Sequence, residues 1–425
     1  MLFARVVAMF SARVVVVAQV ALLSLLSAVA CQGATQIALT VKAGSHDRVN
    51  TPVSVLLELP QELGDAATAD LIDAGGQKLL GQLTAPSLAA AQQAAGPRES
   101  DKSPTVTRQL WFILPRLTKG QQLQLSVRIP GTKPEKTCAW KDNPGQYAEL
   151  TFAGRPVLRY MYKPYDPANR EETYKVYHHV FDPEGKVLLT KGPGGLFTHH
   201  RGLFFGYCAI SFPGGKADTW GCGGNANQLH LRFLAEEAGP VLGRHVAEIA
   251  WRSGEKVFLR EHRELTAYNT TGGTLLEFAS RLTTAGGKVV LDGNAPHAGF
   301  QFRAAREVSE GTQSQTYFLR PDGKGQLNQA RASAMNLPWD AMSFVVEGKR
   351  YTVLYIDSPR NPKPAEYNER TYGRFGSFFK YELDDGKDLL ANYRIWVQDG
   401  EMTVEQAAAI ASQFAEPAEV SVSIK

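Results

Sequence analysis

Cysteine is scarce in this chain of 425 residues: Cys31, Cys138, Cys208 and Cys222 are the four present. None stands in C-x-x-C spacing, so the common structural zinc arrangements are excluded. Cys208 and Cys222 flank a Gly-rich turn and could pair, leaving one thiol over; the alternative is that all are small buried residues. A phosphate loop, a nucleophile elbow and an H-E-x-x-H helix are also missing, and the chemistry they carry has no support here. There is no βαβ alternation and no internal repeat, which argues against nucleotide-binding folds. Charge of one sign is lacking too: 46 Lys and Arg stand against 42 Asp and Glu. The basic residues are scattered singly, so no nucleic-acid partner is indicated. After Thr35 no apolar run is long enough to span a bilayer.

What is present begins with a leader. Arg5 and Arg13 precede an apolar run from Val14 to Ala30 that exits on Ala28-Val29-Ala30, the pattern of a secretory signal peptide over residues 1–30. Cys31 follows at once and offers a site for lipid attachment, the one route to a membrane. The expected location is therefore periplasmic or extracellular. Short alternating strands then fill residues 35–131, among them Ile37 to Val41, Val53 to Leu57, Leu110 to Leu114 and Leu123 to Val127. They predict a small immunoglobulin-like β-sandwich. Residues 132–146, with two prolines, one glycine and several charges, read as a linker. From 147 to 425 strand-like runs alternate with turn sequences such as Asp182-Pro183-Glu184-Gly185 and Pro321-Asp322-Gly323. One helix is predicted, Val404 to Phe414, capped by Thr403 with Gln406 three residues on. The fold class is all-β: a small sandwich, then a large antiparallel one with a single C-terminal helix.

Four of the nine histidines fall between Arg155 and Arg201, as His178-His179 and His199-His200. Imidazole moves protons near neutral pH and is the commonest metal ligand. Neighbouring residues of a strand point to opposite faces, so at most one of each pair faces a given cleft. Gly192-Pro193-Gly194-Gly195 leads into His199-His200-Arg201-Gly202, a loop-to-strand junction of the kind that presents side chains. Arg260, His262 and Glu264 share one strand face, which reads as the wall of a polar cleft or, with slightly more support, as a solvated surface with cross-strand ion pairs. His297 precedes a predicted strand running to Arg303. Asp357 opens the turn to Pro362 and is placed to cap it.

At these residues the chain resembles the PmoA-like exported bacterial proteins, labelled "methane oxygenase PmoA" although their chemistry is undefined. The matching stretches are Pro156 to Tyr160, Tyr177 to Gly185, His199 to Gly206, His297 to Phe300, Leu337 to Asp340, Asp357 to Pro362, Tyr372-Gly373 and Asn392 to Gln406. This chain has Leu196-Phe197-Thr198 where that family often has Asp-His-Pro, and Ser358 where it often has His. A metal site built on those two imidazoles would be impaired. The resemblance implies a galactose-mutarotase-like β-supersandwich whose concave face handles sugars. A methane-oxidising membrane subunit needs several apolar spans, which are not here.

The expected function is that of an exported carbohydrate-active protein that binds or acts on a sugar or glycan in a concave cleft, by histidine acid–base chemistry of epimerase, lyase or hydrolase type. His178, His200, Arg201 and His297 are the candidate catalytic residues. Arg159, Tyr160, His199, Trp339, Asp357 and Tyr372, within the resembling stretches, are the candidate substrate-binding residues. No cofactor is expected. The alternatives are a non-catalytic glycan-binding or scaffold module, and a His-ligated metalloenzyme.

Overall fold

The computed structural model describes residues 37–93 and 105–424. The expected leader and Cys31 lie outside the described residues. The chain is all-β, with four antiparallel sheets.

The first sheet has seven strands, in the order Arg48–Pro60, Thr105–Leu117, Lys78–Thr84, Thr68–Asp73, Gln122–Arg128, Ile37–Lys42 and Glu419–Ile424. Alternation drives it: Leu39, Val41, Leu57, Leu59, Leu71 and Phe112 point into one core while their neighbours face out. The two outermost strands approach each other, so the sheet curls around that core. Its last strand comes from the other end of the chain, with Val41 opposite Val420 and Lys42 opposite Glu419. Residues 147–425 are therefore not confined to the second unit.

Two nine-stranded sheets pack face to face to make the large sandwich. Phe205, Phe300 and Phe302 of one meet Phe278, Phe344 and Tyr355 of the other. The stretch read as a linker contains the strand Cys138–Asn143, which pairs with Tyr147–Phe152 at the edge of the first of these sheets. Its signal was short: Cys138 is buried and Trp140 packs on the core, but charged and turn residues follow immediately. The helix Val404–Ala415 forms with the expected capping box, Thr403 Oγ1 accepting from the Gln406 N–H and Gln406 Oε1 from the Thr403 N–H. It buries Ala407 and Ala411 in a cluster with Trp111, Trp339 and Trp396, which joins the small sheet to the sandwich. Among the described residues no helix is long and apolar enough to cross a membrane.

Register fixes which side chains face where. His178 lies opposite Leu203, Leu203 opposite Phe302, and Phe302 opposite Phe375. That row faces the sandwich core. The alternate row, with Phe204 opposite Gln301 and Arg303 opposite Arg374, faces away from it. Segments that cross over the sheet then cover this outer face, which is why Ala298–Arg303 is buried at every position.

Candidate functional site

The chemistry gathers on that covered outer face. Gly202 turns the Gly192–Arg201 segment back into the sheet at φ +45, where an added Cβ would meet the His178 carbonyl oxygen at 2.0 Å. Only glycine can pass there. The segment before it sets His199 and His200 edge to face, with ring centroids 4.3 Å apart. Phe197 lies 5.2 Å from both the His200 and the Tyr372 rings and is 43% exposed, so it stands at the surface above them. Beneath, Trp220 and Phe204 pack on His200 at 5.6 and 5.9 Å. His297 sits at the rim, held by Asn294 Oδ1 at 2.8 Å and set edge-on to Trp220.

Cations surround these rings. Lys175 Nζ donates to the carbonyls of His199 and Trp220. Lys191 Nζ donates to those of Gly192, Phe197 and His200. Arg374 donates to Tyr372 Oη at 3.2 Å, Gln301 Oε1 at 2.9 Å and Asn368 Oδ1 at 3.0 Å. Arg303 donates from Nη1 to the Tyr372 carbonyl, and its Nε and Nη2 have no partner. Trp220 Nε1 and both ring nitrogens of His200 are likewise buried without partners.

The electrostatics follow. Burial, then Arg374, His199, Arg303 and Lys175, hold the His200 imidazolium well below the usual histidine range. Burial and Lys175 push His199 down to about 3. His297 is lowered by burial, Arg374 and Arg370. These imidazoles are neutral at physiological pH. Burial and the neighbouring arginines push Lys191 down to about 7, although its three carbonyl acceptors favour the ammonium form, and we regard it as a charged tie for the loop.

Four expected residues thus converge: His199, His200, His297 and Tyr372. The others do not join them. His178 faces inward and bonds across the sandwich, Nε2 to His245 Nε2 at 2.9 Å, with Tyr160 stacked on it at 4.7 Å. Both are sealed in the core. Arg201 is adjacent to His200 but spent: its guanidinium donates to the carbonyls of Thr198, Glu171 and Glu172 and stacks over Tyr174. Arg159 pairs with Glu149 at 2.7 Å. Trp339 belongs to the cluster that joins small sheet and sandwich. Asp357 is buried against Lys363 at 2.6 Å and accepts from Asn361, the turn-capping role. The Arg260 face carries cross-strand pairs, Glu248 meeting Arg260 at 3.2 Å and Arg232 at 2.8 Å. Lys175, Lys191, Trp220, Arg303 and Arg374 join the site without any motif in the sequence to mark them. Gln301 and Arg303 do alternate in a strand otherwise apolar, but a solvated outer face gives the same pattern.

Two other features offer less. A cleft of about 600 Å³ lies between small sheet and sandwich, where Arg394 is already paired with Glu277. Among the described residues no three His, Cys, Asp or Glu side chains gather as a metal-ligating set, and Cys138, Cys208 and Cys222 are unpaired.

A family described as one of unknown function, DUF6807, matches residues 147–412, which hold the whole site. The chain belongs to the DUF6807 family. That description assigns no activity, and the name PmoA does not come with it. No curated protein matches. Among solved structures, this DUF6807 chain is similar to an α-mannosidase from Enterococcus faecalis V583, at 8% identity and a TM-score of 0.47. The match covers 92% of this chain but 46% of that one, so the chain spans about half the length of the mannosidase. A putative aldose 1-epimerase from Escherichia coli K12 matches over its full length and 62% of this chain, at 10% identity and a TM-score of 0.27.

Proposed function

We propose that this DUF6807 chain is an exported carbohydrate-active protein whose sugar ligand binds on the outer face of the sheet, beneath the Gly192–His200 segment. The observation that carries the reading is the placement of Phe197 and Tyr372. Two aromatic rings 5.2 Å apart near the surface, with unpartnered polar atoms of His200 and Trp220 behind them, suit a ligand with apolar ring faces and hydroxyl edges. Export rests on the leader and Cys31.

His200 is the group we assign to proton transfer. Its ring is neutral and unpartnered, so one nitrogen can accept a proton and the other donate one. Surrounding cations make it a weak base in the free protein. A bound anion would reverse that influence and bring it toward the range useful for catalysis. Non-catalytic binding at the same rings is the second reading, favoured by the depressed basicity of all three imidazoles.

A screen of sugars and glycans, read by turnover and by thermal shift, tests the proposal. Hits that vanish in Phe197→Ala and His200→Gln support it, and turnover separates catalysis from binding. No turnover and no shift with any sugar would overturn it.

A further inference from the structure

Five cations are buried in this one region: Lys175, Lys191, Arg201, Arg303 and Arg374, none more than 4% exposed. Among the described residues none forms an ion pair with a carboxylate; their acceptors are carbonyls, amide oxygens and a phenol. Buried ion pairs elsewhere in the same sandwich show what compensation looks like. Arg263 meets Glu261 at 2.8 Å with both fully buried, and Arg320 is paired with Glu369. Desolvating one charge carries a penalty of several kcal/mol unless an opposite charge or strong hydrogen bonds offset it. Five of one sign make an electrostatic deficit of negative charge.

The register sharpens this. Arg303 and Arg374 are direct cross-strand partners, and Arg374 is in turn opposite Arg370. Like charges directly opposite on a sheet are destabilising. The atoms of Arg303 that lack partners are also specific: Nε and Nη2 form one edge of the guanidinium. That edge presents two parallel N–H groups, the fork that receives both oxygens of a carboxylate.

We propose that the site takes an acidic sugar, a hexuronate or a glycan carrying one, with its carboxylate received side-on by Arg303. The inference rests on the sugar reading above and names the class of sugar. The carboxylate supplies the missing negative charge between Arg303 and Arg374. Trp220 Nε1–H and His200 then meet hydroxyl groups, and Phe197 and Tyr372 cover the ring. The fork is out of contact with solvent, so entry requires the segment carrying Phe197 to lift. Backbone at positive φ at Gly194, Gly195 and Phe197 marks that segment, and the Lys191 ammonium ties its carbonyls down.

Calorimetric titration of the full chain tests this with D-glucuronate and D-galacturonate, their neutral parents glucose and galactose, glucose 6-phosphate, and inorganic phosphate. The expected result is binding of a uronate and none of its neutral parent. Arg303→Lys, which keeps the charge and loses the fork, should weaken that binding roughly 10- to 100-fold. Arg303→Met should abolish it. Binding of neutral sugars alone, or equal affinity in Arg303→Lys, overturns the acidic-sugar inference while the sugar reading stands. Binding of phosphate in preference to every uronate overturns the carboxylate assignment. Binding of no sugar of either kind overturns both.

Discussion

Arg303 and Arg374 stand directly opposite each other on neighbouring strands, both fully buried, and no carboxylate pairs with either among the described residues. The arrangement is held by neutral acceptors: Tyr372, Gln301 and Asn368 for Arg374, and a single carbonyl for Arg303. Removing Arg303 therefore relieves repulsion while giving up one hydrogen bond and the contact of its guanidinium with the Tyr372 ring at 5.0 Å. In the absence of ligand Arg303→Met should be more stable than the parent by about 1–3 kcal/mol. Urea denaturation of the two proteins measures it. A less stable variant would mean that Arg303 is compensated by something in the folded chain itself.

Acid should unfold this protein through its buried histidines. In the His178–His245 pair one Nε2 donates to the other, so adding a proton would set two N–H groups head to head. Burial and His230 push His245 down to about 3, and burial and Arg159 push His179 to about 3. The folded state holds these rings neutral while the unfolded chain protonates them below its ordinary value near 6.5. Stability is therefore full above that value and falls as pH drops from 6.5 toward 3, by about 1.4 kcal/mol per pH unit for each ring. Melting temperature followed from pH 8 to 4 should show the decline. A His178→Phe, His245→Phe double variant should make it shallower, with the part due to His179, His199 and His200 remaining.

Gly202→Ala should fail to fold. The position combines φ +45 with a 2.0 Å approach to the His178 carbonyl oxygen, and the Arg303 N–H donates to the Gly202 carbonyl. Backbone strain and parted strands together cost about 3 kcal/mol or more. Soluble yield and circular dichroism report the outcome, and a well-folded Gly202→Ala protein would contradict the backbone path described for the site.

Truncation before Glu419 should leave the sandwich formed but uncover Ile37–Lys42 as a new sheet edge, with Leu39 and Val41 in its core row. Unpaired edges of this kind promote association. Size-exclusion chromatography should show oligomers that the full chain lacks.

The all-β class and the capped helix were legible because they rest on local rules: alternation, turn residues, and Thr403 with Gln406. Of the site, the histidines of the Gly192–Arg201 segment and at His297 were legible because glycines and imidazoles cluster there in sequence. The cations were not. Lys175, Lys191, Arg303 and Arg374 are separated along the chain, and only register brings them together. Both faces of the strand Ala298–Arg303 are covered, so Arg303 carries no mark that distinguishes it from a solvated arginine. Arg201 misled for the opposite reason: its neighbours in sequence are the right ones, but three backbone carbonyls occupy its guanidinium.

Lys42 and Glu419, bonded at 3.2 Å across the seam of the small sheet, are separated by 377 residues. The first strand is thus synthesised long before the strand that closes beside it, and the entire sandwich must be made in between. Contacts of such sequence separation form late and slowly. The pairing of these two strands is consequently a late contact, a clasp that latches once the sandwich has brought them within reach.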